Sequence, residues 1–195
     1  LYLGGRLSES RVRTAGRIAA ATGAQIIGST WAPIQEMGAG RTPIRRLAYF
    51  GEQAAEQLDG TEHMIVIGAT PPVTFFAYPD KPNWLTPDGA EIYEICDKSG
   101  DIDGALDALC DAVGASGHEP AQWELARPEL PSGDLTPLAI GQAVAHLMPD
   151  DSIVVNESGT AGAGYQMGMR GAPAHSFLAL TGGSIGYGIP ASVGA

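Results

Sequence analysis

The chain has 195 residues, 44% of them hydrophobic and 17% charged, enough to bury an ordinary core and to build one sizeable domain or one domain and part of another. Eleven Lys+Arg against 22 Asp+Glu give a net charge of −11, so counterion release from a phosphate backbone is unavailable as a general binding force, which argues against nucleic acid and anionic membrane as partners. With 27 Gly and 14 Pro the chain reads as globular and loop-rich, without the repeat of a collagen or the bias of a disordered segment.

In chain order, residues 1–3 read as the end of a strand, with Gly4-Gly5 opening a loop. A helix follows, with Ser8 as N-cap, Val12, Ala15, Ile18 and Ala19 at helical spacing, and Gly23 as its stop. Residues 25–29 (QIIGS) are short and mostly apolar, as a strand buried on both faces should be. A second helix is expected over 51–58 and a strong strand over 63–68 (HMIVIG). Residues 71–90 hold five prolines and read as a long loop. Residues 90–96 (AEIYEIC) read as another strand. A helix over 103–113 then carries Leu106, Leu109, Cys110 and Val113 on one face and ends at Gly114. Strands alternating with helices imply crossovers, so the expected fold is α/β, doubly wound, with a mostly parallel sheet and helices on both faces.

Residues 115–135, rich in Pro, Gly and acid, interrupt this alternation and read as a linker. Thr136-Pro137 is a strong helix start, with Thr as N-cap and Pro at the first helical position, and Pro149 is the stop. Residues 152–155 (SIVV) read as a buried strand and residues 177–180 as another. The expected organisation is a central domain over 1–115, a linker over 116–134, and an incomplete second α/β domain over 135–195. The chain starts inside LYLGG and stops inside IPASVGA, so it is expected to be a piece of a longer protein.

Two stretches carry the chemistry. Residues 156–164 (NESGTAGAG) follow a strand directly and bring bare backbone N–H groups and a Thr hydroxyl to the carboxyl end of a sheet, where a phosphate can be held. The spacing is neither GxGxxG nor Walker A, so a plain tight turn remains an equal reading. Residues 182–190 (GGSIGYGIP) surround bulky Ile185 with glycines, which permit positive φ and close approach of backbone to a flat ligand. The alternative here is a strand-to-helix turn, with Pro190 in the first turn of the next helix.

Seven arginines fall in the first 46 positions: Arg6, Arg11, Arg13, Arg17, Arg41, Arg45 and Arg46. They read as a solvated helix face or, alternatively, as a nucleotide site at the ends of the first strands. His63, His118, His146 and His175 have no carboxylate or Cys at ligand spacing and read as structural or surface histidines. Asn156-Glu157-Ser158 matches a glycosylation sequon, read as chance. Cys96 and Cys110 form no metal or disulfide pattern and read as core residues, with an intracellular, cytoplasmic compartment as the default. No apolar run approaches 18 residues and no signal peptide is evident.

Together NESGTAGAG, MGMRGAP and LTGGSIGYGIPASVGA resemble the opening of the pyrophosphate-binding domain of thiamine diphosphate-dependent enzymes, in the group of acetolactate synthase and benzoylformate decarboxylase. The first 115 residues are similar to the central domain of that group. The resemblance implies thiamine diphosphate and Mg2+ as cofactors of the full-length protein, a 2-oxo acid as substrate, and a homodimer or homotetramer. It also implies that Gly159 and Thr160 touch the diphosphate, that the Gly183 carbonyl accepts from the 4′-amino group of the aminopyrimidine, and that Ile185 supports the bent cofactor. No catalytic residue and no metal ligand is expected within these 195 residues. The family's Gly-Asp-Gly…Asn metal motif is expected after residue 195, Gly100-Asp101-Ile102 being no substitute, and its activating glutamate in a preceding domain.

Benzoylformate decarboxylase carries a catalytic His in the loop that corresponds to VTFFAYPDKPNW, which has none. The expectation is therefore decarboxylation with carboligation, as in acetolactate synthase. The alternatives are a benzoylformate decarboxylase-like reaction and a non-catalytic module that binds FAD or ADP or packs subunits.

Overall fold

The computed structural model describes residues 1–81 and 83–195. The elements in chain order are β1 (Tyr2–Leu3), α1 (Glu9–Thr22), β2 (Ile27–Gly28), β3 (Ile34–Met37), β4 (Arg45–Arg46), α2 (Gly51–Leu58), β5 (His63–Ile67) and β6 (Glu91–Cys96). They continue with α3 (Ile102–Ala112), α4 (Pro137–Leu147), β7 (Ser152–Asn156), a 3-10 turn at Gly159–Ala161, α5 (Gly162–Gly168), β8 (His175–Ala179) and α6 (Gly188–Gly194). The chain forms two compact units. One gathers Leu1–Leu7, Thr14–Ala32 and Ile44–Pro120, and the other Ser8–Arg13, Pro33–Pro43 and Ala121–Ala195.

The first unit is a five-stranded, wholly parallel sheet in the order β4-β2-β1-β5-β6. Counting only these strands, the order is 3-2-1-4-5, with the direction of winding reversing between β1 and β5, as in doubly wound nucleotide-binding sheets. Tyr2, Ile27, Met64 and Val66 meet Leu47, Ala54, Leu58, Ala69 and Leu85 in one buried cluster. Strand alternation sends Leu3 and Ile67, both fully buried, to the opposite face. Each such aliphatic stabilises the fold by about 1.5–3 kcal/mol relative to exposure.

Local signals in the sequence explain the helix ends. Gly23 and Gly114 end their helices at φ +76° and +67°. The Asp101 carboxylate caps α3 by accepting from the Gly104 N–H at 2.9 Å, which is the structural role of the Gly100-Asp101 pair. Edge strand β6 keeps Glu91 and Glu94 in water and exposes Tyr93 and Ile95, charges that discourage pairing with another edge. Cys96 is half-buried rather than a core residue, while Cys110 is buried; both are free thiols.

The second unit holds a three-stranded sheet, β3-β8-β7, with β8 antiparallel to β3 and parallel to β7. Phe177 on central β8 is 1% exposed. SIVV was expected to be buried, but β7 is an edge strand and Ile153 is half exposed. The Thr136 hydroxyl caps α4 by accepting from the Ala139 N–H at 3.1 Å, with Pro137 at the first helical position.

Three glycines set the approach of α4 and α5. A Cβ at Gly164 would sit 2.9 Å from that of Pro137, one at Gly168 would run into the Leu138 carbonyl, and one at Gly141 into the Tyr165 carbonyl. Residues 121–128 have no regular structure but are strapped to this unit. Trp123 exchanges backbone hydrogen bonds with Gly40 and Arg41, at 2.8 and 2.9 Å, and the Ala126 N–H donates to Gly171 O at 3.0 Å. The Arg127 guanidinium donates to the carbonyls of Ala145, His146 and Met148 at the carboxyl end of α4, where a cation meets the negative end of the helix dipole.

Candidate functional site

The chain leaves β7 through Asn156, whose side-chain oxygen accepts from the Ser158 N–H at 3.0 Å. This turns the backbone sharply. Gly159 follows at φ +53°. A Cβ there would meet nothing within 4 Å, so glycine is needed for conformation rather than for room. Gly159 and Thr160 are exposed. Beside them the Ser158 hydroxyl oxygen is buried with no partner, and a Cβ added at Gly162 would sit 3.1 Å from it. The stretch expected to be loop is therefore partly helical. Its last glycine, Gly164, serves helix packing, while Gly159 and Thr160 are left exposed in the turn.

The second stretch bends at Gly182, Gly183 and Gly186, with φ of 58°, 75° and 95°. Within it the Ser184 N–H donates to Thr181 O at 3.2 Å and the Ile185 N–H to Gly183 O at 2.9 Å. The Gly183 carbonyl thus has one lone pair engaged and a second for another donor. Ile185 is 91% exposed on this turn.

Glu157 joins the two stretches. One of its carboxylate oxygens accepts from the Gly186 N–H, and the other from the Gly188 N–H at 2.5 Å. The Gly186 amide first, and then the Gly188 amide, hold the Glu157 carboxyl below the ordinary carboxylate range. The structure therefore joins the turn that holds Gly159 and Thr160 to the turn that holds Gly183 and Ile185 through Glu157 and the Gly186 and Gly188 amides. Sequence reasoning missed Glu157 because it saw only a sequon. The signal was there: an acid directly after a strand, in a chain that later offers a run of bare glycine amides.

His175 is 3% exposed. Its Nδ1 donates to Pro173 O at 2.7 Å and its Nε2 is buried without a partner, and burial pushes its pKa down from 6.5. Among the arginines, Arg41 pairs with Glu9 at 3.3 Å, Arg6, Arg13 and Arg45 are exposed, and burial lowers Arg46 to about 10. Among the described residues no group of three or more His, Cys, Asp or Glu can hold a metal ion, and no helix is long and apolar enough to cross a membrane.

In the first unit, residues following β2, β4 and β5 form a continuous set of ring contacts. Trp31 meets Phe75 at 4.9 Å, Tyr49 meets Phe50 at 5.2 Å, and Phe75 meets Phe76 at 4.7 Å. The histidine-free loop of the sequence thus supplies aromatic surface at the carboxyl side of the parallel strands.

No protein-family model matches the chain. It is 48% identical over 181 residues to a Mycobacterium tuberculosis protein whose name, IlvX, places it with acetolactate synthase large subunits, covering 93% of this chain and 35% of that one. It is 34% identical over 155 residues to benzoylformate decarboxylase of Pseudomonas aeruginosa, covering 71% of this chain and 28% of that one. The chain belongs to the thiamine diphosphate-dependent enzyme family, in the acetolactate synthase and benzoylformate decarboxylase group.

Two solved structures share the fold over the whole of this chain and 40% of their own. They are the thiamine diphosphate-dependent 4-hydroxybenzoylformate decarboxylase of Rhodococcus jostii RHA1, with TM-score 0.64 and 20% identity, and benzoylformate decarboxylase from Polynucleobacter necessarius, with TM-score 0.63 and 16% identity. The chain spans about a third of the length of the curated relatives it matches. Within this family the buried, unpartnered Ser158 hydroxyl and the open turn at Gly159 and Thr160 fit a diphosphate.

Proposed function

We propose that the full-length protein decarboxylates a 2-oxo acid and joins the resulting carbanion equivalent to a second carbonyl compound, in the manner of acetolactate synthase. The cofactor part of this reading is supported by the pairing, through Glu157, of a strand-end turn holding an unpartnered buried hydroxyl with a glycine turn that carries Ile185, and the carboligation part by the absence of histidine from VTFFAYPDKPNW. Ser158, Gly159 and Thr160 would hold the diphosphate. The free lone pair of the Gly183 carbonyl would accept from the 4′-amino group, and Ile185 would give the rings an apolar support, stiff because it is β-branched. Thiamine diphosphate, when bound, supplies the electron sink for loss of CO2. Mg2+ would be held with the diphosphate by residues outside this chain, and the assembly would be a homodimer or homotetramer.

The test is to supply the full-length protein with thiamine diphosphate, Mg2+ and a panel of 2-oxo acids, and to measure CO2 and products. Coupled hydroxy-ketone products support carboligation. Aldehyde alone would favour the benzoylformate decarboxylase-like alternative, and absence of CO2 release across the panel would refute the enzyme reading.

A second reading has one observation in its favour: the 3-2-1-4-5 strand order puts a topological switch point between β1 and β5, the place where such sheets hold nucleotides. There the Gly4 N–H donates to Ile67 O at 2.9 Å, and a Cβ on Gly4 would sit 2.8 Å from that of Ala69. Calorimetric titration with FAD and ADP decides it, and no heat with either would remove a nucleotide from the first unit.

A further inference from the structure

We infer that Glu157 is a positioning residue that holds the 183–188 turn in the form that receives the cofactor, by clamping the Gly186 and Gly188 amides from the strand-end turn. This rests on the thiamine diphosphate reading and adds to it a residue that touches no part of the cofactor in the argument above.

The geometry is two-pronged. Each carboxylate oxygen takes one amide, 29 and 31 residues further along the chain. The two amides flank Tyr187 and lie just beyond Ile185, so fixing them fixes the backbone from which Ile185 projects and limits the swing of the Gly182–Gly183 bend. Gly182, Gly183 and Gly186 all sit at positive φ, the conformation that glycine alone adopts freely. Gly188 belongs to the same device, because a Cβ there would sit 2.8 Å from one Glu157 carboxylate oxygen and 3.1 Å from the Glu157 Cβ. An alanine at 188 favours the helix by propensity yet pushes the carboxylate away. A glutamine at 157 keeps the size but offers one acceptor and sets an NH2 against the other N–H. An aspartate keeps both acceptors on a shorter stem.

The experiment uses the full-length protein and the variants Glu157→Gln, Glu157→Asp and Gly188→Ala. Amide hydrogen exchange is measured across residues 182–190 without cofactor, and thiamine diphosphate affinity by calorimetry with Mg2+ present. Glu157→Gln and Gly188→Ala are expected to speed exchange of the 186 and 188 amides at least tenfold, leave α4 and α5 unchanged, and weaken thiamine diphosphate at least tenfold. Glu157→Asp is expected to recover part of both. Exchange that stays at the wild-type rate would overturn the clamp. Faster exchange with unchanged affinity would reduce Glu157 to a helix cap and overturn the positioning role. If Glu157→Gln does not fold, Gly188→Ala decides by the same two readings. Wild-type protein that fails to bind thiamine diphosphate would instead sink the proposed function, and the positioning role with it, while the exchange result would still report whether the clamp exists.

Discussion

In the first unit Leu3, Val66 and Ile67 are no more than 2% exposed, whereas in the second Ile185, Ile189 and Val193 are 91%, 82% and 84% exposed. The first unit puts its aliphatic side chains between sheet and helices. The second buries Phe177, Ala145, Met148 and Met169 and leaves Ile185, Ile189 and Val193 exposed on or next to the turn whose glycines and carboxylate clamp shape its backbone. Apolar burial holds the first unit together, and backbone geometry shapes the candidate site of the second. The same substitution chemistry should therefore have opposite consequences in the two places.

The sharpest contrast is between Leu58→Ala and Ile185→Ala. Leu58 is 1% exposed in the first unit's core, so its truncation should cost about 2–5 kcal/mol in denaturant unfolding. Ile185→Ala should change stability by less than about 0.5 kcal/mol while lowering turnover in the proposed reaction of the full-length protein. Equal losses of stability would erase the distinction. Next in size, Gly168→Ala drives a Cβ into the Leu138 carbonyl and should cost about 1–3 kcal/mol by prising α5 from α4, seen as a lower unfolding midpoint. Arg127→Ala removes the Nη1 donor shared among three carbonyls at the end of α4 and should cost about 1–2 kcal/mol, with exchange accelerated in the last turn of that helix.

The smallest expected effect is one of pH. Burial lowers the folded-state pKa of His175 below 6.5, so the folded state resists a proton that the unfolded chain takes up. The stability that comes from burying a neutral imidazole is complete above 6.5 and is lost as pH falls from there to the folded value. Wild-type melting temperature should drop more steeply than that of His175→Asn across this window. Parallel curves would show that His175 does not titrate in the way its burial implies.

Much of the fold was readable where the signal is local. The Thr136-Pro137 start of α4 and the glycine stops of α1 and α3 each follow from a few neighbouring residues. Strands β3 and β4 were not readable, because IQEM and RR carry no apolar alternation and are strands only through backbone pairing with partners far along the chain. Helix α5 was hidden by its glycines, poor helix formers that are present because α4 packs so closely.

The candidate site divides in the same way. Its glycine turns were visible as composition. The carboxylate that joins them was not, since reaching amides 29 and 31 residues on is a property of the folded chain. The buried His175 was likewise indistinguishable in sequence from three others that are more exposed.

The most direct measurement is a crystal structure of the full-length protein with thiamine diphosphate and Mg2+ bound. The account predicts the diphosphate against Ser158, Gly159 and Thr160, the aminopyrimidine beside the Gly183 carbonyl, and Ile185 beneath the rings, with Glu157 still holding the Gly186 and Gly188 amides. A cofactor bound elsewhere, with these two turns open to solvent, would contradict it.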